Sequence, residues 1–543
     1  MHPQISPKYV VITGGVISGL GKGTVTASIG KLLKLQGFNV TAIKIDPYIN
    51  IDAGTMRPTE HGEVWVTDDG GETDQDLGIY ERFLDIDMGK GHNITTGQVY
   101  LKVIQDERNL KFEGKCVEVI PHIPREIKRR IHNVAKDTKA DFVLIEIGGT
   151  VGDYQNVLFL ESTREMKLEG EQIVFVHVAY LPIPEKIGEM KTKPAQRSVR
   201  DLNEVGIQPD IIICRSEKIL DKPRLEKISL FCNVKIEDVI GDPDVEYAYE
   251  LPLIFEQQDL TEKILKKFSM EKKKENLGGW RDYIQKIKGL KKELEIGIIG
   301  KYFDTGDFTL SDSYISVIEA VKHACWNNDV KPNVTWVDSK RYEKDLKTVE
   351  ELKNFDAIII PGGFGSSGVE GKISAIKFAR EQNMPFLGLC YGMQLAVIEF
   401  ARNVCGMEGA NSTEIDPATK YPVIDILPEQ KKLLKDKKYG ATMRLGAYPA
   451  ILKKETRVHD LYGTDKISER HRHRYEVNPK YIETLEKKGL VFSGQSPDRR
   501  LMEFLELPNH KAFFATQGHP EFKSRPMKPA PLFDGLVKAA LRK

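Results

Sequence analysis

Apolar runs at 40–45, 117–120, 142–147, 173–178 and 211–214 alternate with stretches whose apolar residues recur at helical spacing. Runs this short and rich in Val and Ile read as strands. Strands separated by helix-length segments predict a mostly parallel sheet with helices on both faces, and ligands then gather at the C-terminal strand ends. The alternation weakens over 266–292, a lysine-rich stretch whose only amphipathic patch is Trp280, Tyr283, Ile284 and Ile287. It starts afresh at 294–300, followed by helical spacing over 314–324 and apolar runs at 334–337, 357–360 and 386–389. The pattern predicts two α/β domains, 1–267 and 294–543, joined by a connector at 268–293.

Composition narrows the class. A chain of 543 residues exceeds one ordinary core, which agrees with two domains. A formal net charge of +1 gives no whole-chain argument for a nucleic-acid or membrane partner. No stretch has the roughly 18 uninterrupted apolar residues of a membrane span, and Met1 to Lys8 carries Pro3 and Pro7 rather than an apolar signal core. The six cysteines lack C-x-x-C spacing, so reduced thiols and a cytoplasmic location are expected.

The first chemical stretch runs from Val10 to Thr24. An apolar run enters a loop with Gly14, Gly15, Gly19, Gly21 and Gly23, Lys22 lies inside it, and a helical segment follows. Glycines turn backbone N–H groups toward an anion, the helix start adds its dipole, and lysine reaches the transferring phosphate. Val16 and Gly23 depart from the usual P-loop spacing. Lys44 ends the second run as either a solvated strand-end lysine or a second phosphate contact. The loop 68–76 packs acidic residues with glycines, and Glu146 ends another run. Either the loop is a solvated turn, or Asp76 and Glu146 supply the hard oxygens that Mg2+ takes.

The second stretch, Leu387-Gly-Leu-Cys390-Tyr-Gly-Met-Gln394, puts a cysteine between glycines where a strand meets a helix, the layout of a nucleophile elbow. His519 and Glu521, after an apolar run at 512–515, complete a cysteine, histidine and carboxylate set. Pro361-Gly-Gly-Phe-Gly365 adds a glycine turn able to donate backbone N–H groups to an oxyanion.

These last three segments resemble class I glutamine amidotransferases. Together with Lys44-Ile-Asp-Pro-Tyr-Ile-Asn, His61-Gly-Glu-Val, Gly148-Gly-Thr-Val-Gly-Asp, Lys191-Thr-Lys-Pro-Ala-Gln, Cys214-Arg-Ser and His471-Arg-His-Arg-Tyr-Glu-Val-Asn, the chain resembles the CTP synthase family over nearly its whole length. The resemblance implies a P-loop, dethiobiotin-synthetase-like domain followed by a glutamine amidotransferase domain, both doubly wound. It implies a ligase that phosphorylates UTP with ATP and aminates it with ammonia carried through the protein from glutamine. A cobyrinate-type amide ligase lacks a reason for Lys191–Gln196, and a partition-type ATPase lacks one for Cys390.

The resemblance also implies roles. Gly19, Leu20, Gly21, Lys22, Gly23, Thr24, Asp76 and Val245 would hold ATP, with Lys22 and Lys44 serving phosphoryl transfer and Asp76 and Glu146 binding Mg2+. Ser18, Lys191, Thr192, Lys193, Pro194, Ala195, Gln196 and Lys227 would bind UTP, or CTP as feedback inhibitor, and Asp153, Tyr154 and Gln155 would be specific to CTP. Gly363, Tyr391, Gly392, Met393, Gln394, Glu414 and Arg474 would hold glutamine around Cys390, His519 and Glu521. Pro58 and His61 would gate the ammonia route, and Gly440 to Gly446 would form a lid linked to activation by GTP. Family members are tetramers, and some form filaments.

Overall fold

The computed structural model describes residues 6–57, 62–273, 277–300, 304–305, 308–309, 311–426 and 443–542. The chain forms two compact units: Met1–Thr55 with Thr73–Gln285, and Met56–Glu72 with Lys286–Lys543.

The first unit is built on seven parallel strands, β1 (Lys8–Gly15), β2 (Val40–Asp46), β3 (Asn93–Thr95), β4 (Phe142–Ile147), β5 (Ile173–Tyr180), β6 (Ile211–Ser216) and β7 (Val239–Pro243). Their spatial order is β3-β2-β4-β1-β5-β6-β7. All but the edges of this sheet are buried on both faces, which is why its strands read as continuous apolar runs. In register, Lys44 stands beside Glu146, and Glu146 beside Ile12, so the charged strand ends fall in one row.

The run at 117–120 is not a strand. It leads into the helix Val119–Thr138, whose Ile123, Ile127, Ile131 and Val134 recur at helical spacing and are buried, while Val119 and Ile120 stay half exposed. The helical period over the longer segment outweighs a brief β-branched run. In the connector stretch, the helix Gly278–Lys288 buries Trp280, whose indole N–H donates to the Tyr249 carbonyl at 3.0 Å. The amphipathic patch is therefore a packed face.

The second unit holds a nine-stranded sheet of β8 (Glu293–Gly300), β9 (Lys331–Asp338), β10 (Ala357–Ile360), β11 (Phe386–Leu389), β12 (Arg444–Leu452), β13 (Lys466–His473), β14 (Val491–Gln495), β15 (Met502–Glu506) and β16 (Phe513–Thr516). The order is β9-β8-β10-β11-β16-β15-β14-β12-β13. The first five strands are parallel and the rest antiparallel. One apolar cluster built around Ile376, Phe386 and Leu395 and a second around Val321, Leu387 and Phe533 form the core of this unit.

Candidate active sites

The glycine-rich loop of the first unit follows β1 and opens the helix Lys22–Leu35. Gly19 and Gly21 have φ of +71° and +81° and open space where a Cβ would stand, so their glycines serve backbone conformation rather than packing. Val16 also has positive φ, +84°, the strained position in this version of the loop. Gly23 has another cause: a Cβ there would lie 2.4 Å from Asp76 Oδ1. The departure from a Ser or Thr after the lysine is thus tied to the carboxylate that approaches that spot.

Lys22 is almost buried and donates to the Gly149 carbonyl at 2.9 Å. Burial holds its ammonium below the ordinary lysine value, Glu146 opposes that, and Lys44 adds to it. A bound polyphosphate would supply the missing negative charge. Lys44 is buried and contacts the carboxylates of Asp76, Glu146 (3.1 Å) and Asp46 (3.8 Å). Burial disfavours its charge, but these acids outweigh it and hold the ammonium well above the usual range. Tyr80 donates to the second oxygen of Glu146. Asp46, which accepts from Asn93 Nδ2 at 2.6 Å, is pushed up to about 6 by burial against the pull of Lys44.

Asp76 and Glu146 therefore converge on one point beside Lys22. Among the described residues no group of three or more His, Cys, Asp or Glu forms a metal cage. Two carboxylates are nevertheless the donor set Mg2+ takes when phosphates complete its shell, so the residues present fit that ion. The acidic loop divides. Asp76 joins the lysines, whereas Asp68 accepts from Arg470 Nε at 2.5 Å and from Lys523 Nζ at 3.2 Å in the second unit.

The remaining residues expected to bind nucleotides follow the C-terminal ends of β1, β4, β5, β6 and β7 along the chain. Ser18, Asp153, Tyr154 and Gln155 are exposed, and Asp153 accepts from the Thr150 N–H at 3.1 Å. Tyr154 and Gln155 help line a cavity of about 320 Å³ with Tyr48, Tyr100, Ile123 and Phe159. Lys191 and Thr192 lead into the helix Lys193–Glu204, which Lys193 and Pro194 open; Gln196 Nε2 donates to Thr192 Oγ1 at 3.0 Å and Ala195 is buried. Lys227 is exposed on the helix Lys222–Cys232, and Val245 is half-buried just past β7. His177, not singled out by sequence, lies behind the loop. It is fully buried between Thr13 Oγ1 (2.9 Å) and Ser198 Oγ (2.8 Å), and burial and Lys22 push it down to about 3.

In the second unit, Cys390 ends the turn between β11 and the helix Tyr391–Asn403 with φ 49° and ψ −97°. That is a strained conformation for a side-chain-bearing residue, and an elbow requires it. The flanking glycines allow the approach, since a Cβ on Gly392 would lie 2.2 Å from the Ile360 carbonyl oxygen and one on Gly388 would lie 2.9 Å from Gly392. The Cys390 N–H donates to the Thr516 carbonyl at 2.7 Å, tying the elbow to β16.

His519 and Cys390 flank Gly362, where a Cβ would lie 2.9 Å from His519 Cε1 and 3.8 Å from Cys390 Cβ. His519 Nδ1 bonds Glu521 Oε1 at 2.7 Å. Burial disfavours the imidazolium, but Glu521 and Cys390 more than offset it, holding His519 well above its ordinary value. Phe522 stacks on the imidazole at 5.3 Å and 22°.

Around this set, Tyr391 donates its hydroxyl to the Gly365 carbonyl at 2.7 Å, and Glu414 Oε1 accepts from the Gly365 N–H at 3.0 Å, so the Gly363 turn is held from both sides. The Met393 side chain is wholly buried in the helix that follows the elbow. Gln394 Nε2 donates to the Tyr475 carbonyl at 3.0 Å. Gln517, missed by the sequence reading although it sits two residues before His519, places Nε2 3.6 Å from the Cys390 sulfur. Glu469 was also missed. It accepts from Tyr462 at 2.7 Å and is pushed up to about 7 by burial, with the nearby Glu521 adding to the effect.

The basic Arg470–Arg474 run is mostly interior. Arg470, His471 and His473 are buried on β13 and its end, Arg472 Nε pairs with Glu72 at 2.7 Å, and Arg474 is half-buried. Pro58, His61 and Gly440 to Thr442 lie outside the described residues. Of the expected lid, Arg444 pairs with Glu476 at 3.1 Å and Glu503 at 2.8 Å.

Comparison with known proteins places both parts of the chain in described families. Residues 8–270 match the family described as CTP synthase N-terminus, and residues 309–539 match glutamine amidotransferase class-I. A CTP synthase of Thermococcus gammatolerans is 54% identical over 536 residues, covering 98% of each chain. One from Methanocaldococcus jannaschii is 53% identical over 541 residues, again 98% of each. Among solved structures, the glutaminase domain of Trypanosoma brucei CTPS with bound acivicin is 37% identical and covers 46% of this chain and 94% of its own, with a TM-score of 0.42.

Proposed function

This chain belongs to the CTP synthase family of glutamine-dependent ligases, and from that premise we propose a division of labour between its two sites. The first makes CTP from UTP by transferring the ATP γ-phosphoryl group to the 4-oxygen of UTP. Ammonia then adds at that carbon and phosphate departs. The second releases ammonia from glutamine.

At the first site, backbone N–H groups of Gly19 to Thr24 cradle the ATP phosphates, Val245 lies by the base, and Lys22 and Lys44 stabilise the charge that builds on the transferring group. Asp76 and Glu146 would hold Mg2+, which when bound neutralises phosphate charge. Ser18, Lys191 to Gln196 and Lys227 orient the pyrimidine nucleotide, and Asp153 to Gln155 favour CTP as inhibitor.

At the second site, Cys390 Sγ attacks the side-chain amide carbon of glutamine. His519 takes the thiol proton and passes it to the departing amine, while Glu521 fixes the imidazole tautomer through Nδ1. Backbone at Gly363 faces the oxyanion, and Tyr391, Gly392, Gln394, Glu414 and Arg474 surround the substrate. Water, activated by His519, then hydrolyses the glutamyl thioester to glutamate. Ammonia must reach the other site without meeting bulk water, where it would be protonated and lose its nucleophilic pair. GTP activation, a tetramer and a cytoplasmic location complete the reading; no described helix is long and apolar enough to cross a membrane.

The observation that carries this reading is one chain holding both the Lys22–Lys44 cluster and the Cys390–His519–Glu521 set. The test is CTP formation from UTP, ATP and Mg2+ with glutamine or ammonia as nitrogen donor. Product with both donors supports it, and none with either overturns it.

A further inference from the structure

Residues 62–72 fall inside the stretch that matches the CTP synthase N-terminus, yet they pack within the second unit. Trp65 is wholly buried there, its ring 4.9 Å from Phe522. Phe522 in turn is the residue stacked on His519. The Arg470 guanidinium lies 5.3 Å from the Trp65 ring centre, and the Arg470 carbonyl accepts the His519 N–H at 2.7 Å. Asp68 grips the same two elements through Arg470 and Lys523.

The backbone reinforces the grip. The Ala447 N–H donates to the Asp68 carbonyl at 2.9 Å, and Gly446, at φ +100°, has no room for a side chain because a Cβ would lie 2.7 Å from that same oxygen. Glu72 closes the segment on Arg472, whose carbonyl oxygen is 4.0 Å from the Cys390 sulfur. Each support of the imidazole, the ring stacked on its face and the carbonyl that holds its backbone, therefore has a partner on residues 65–72.

We propose that Trp65 and Asp68 are positioning residues for glutamine hydrolysis: they hold Phe522 and Arg470, and through them His519, in the orientation that serves Cys390. A glutaminase built on its own would need only β11, β16 and the elbow; here the segment between the first unit's two stretches of chain completes the support of its base. Misplacement of a reacting group by an ångström costs about 100-fold in rate, so loosening the stack should show mainly in kcat.

The inference rests on the reading of Cys390 and His519 given above, and the test separates the two. Glutamine hydrolysis and ammonia-dependent CTP formation are measured in full-length Trp65→Ala, Trp65→Phe and Asp68→Asn proteins, with thermal melting as a check on folding. The expected result is a fall of about 100-fold in kcat for glutamine in Trp65→Ala with KM unchanged, and about tenfold in Asp68→Asn. Trp65→Phe should recover most of the rate, and ammonia-dependent synthesis should hold throughout. Full glutaminase kcat in both Trp65→Ala and Asp68→Asn overturns the inference, as does a parallel loss of ammonia-dependent synthesis, which would mark general unfolding. Should Trp65→Ala not fold, Asp68→Asn and Trp65→Phe carry the test alone. Absence of glutamine hydrolysis in the unmodified protein would instead overturn the assignment of the triad.

Discussion

The two active loops of this chain share a plan, a parallel strand leading through a glycine turn into a helix, and differ in what the turn presents. The Lys22 loop leaves Ser18, Gly19 and Gly21 exposed, and open space surrounds its positive-φ glycines. The Cys390 elbow is closed: the cysteine itself takes the positive φ, and the glycines beside it stand at van der Waals limits against Ile360 and each other's backbone. An open turn offers N–H groups to an anion that brings its own bulk. A closed turn aims one sulfur and has no slack. The electrostatics follow the same division, with Lys22 short of compensating charge and His519 supplied with it by Glu521 and Cys390.

Changes at the two loops should therefore fail in different ways. Lys22→Met should lower CTP formation about 1,000-fold with either nitrogen donor, while glutamine hydrolysis persists; equal loss of both activities would erase the distinction between the sites. Gly392→Ala should cost about 2–3 kcal/mol of stability through overpacking against Ile360 and reduce glutaminase kcat, read by denaturant unfolding and steady-state assay. Gly21→Ala meets no atom, so its cost should be confined to backbone strain of about 1 kcal/mol. A larger penalty at Gly21 than at Gly392 would reverse the comparison.

The last effect concerns pH. His177 is buried neutral and pushed down to about 3. Below the unfolded value near 6.5 the unfolded chain binds a proton that the folded chain does not, so stability falls as pH drops, by about 1.4 kcal/mol per unit at most. His177→Gln should flatten the acid limb of a stability profile between pH 6 and 4. An unchanged limb would mean that other groups dominate it.

Much of this was legible in the sequence because the chemistry sits at strand ends. The runs at 142–147, 357–360 and 386–389 are strands with those bounds; the first carries Glu146 next to its end, and the other two lead into the Gly363 turn and Cys390. Local pattern shows which residues end a strand. It does not show which distant segment they meet. Hence Asp68, indistinguishable from Asp76 in an acidic loop, belongs with Arg470, and the basic run around His471 is interior because Trp65, Asp68 and Glu72 pack against it. Gln517 and Glu469 escaped notice for the same reason, since only folding brings them to the sulfur and to Glu521.

The central claim is that Cys390 supplies nitrogen to chemistry performed around Lys22 and Lys44. Its most direct test is CTP formation by Cys390→Ala with glutamine and, separately, with ammonia. The account predicts no glutamine-dependent product and undiminished ammonia-dependent product. Glutamine-dependent synthesis at the unmodified rate would contradict it.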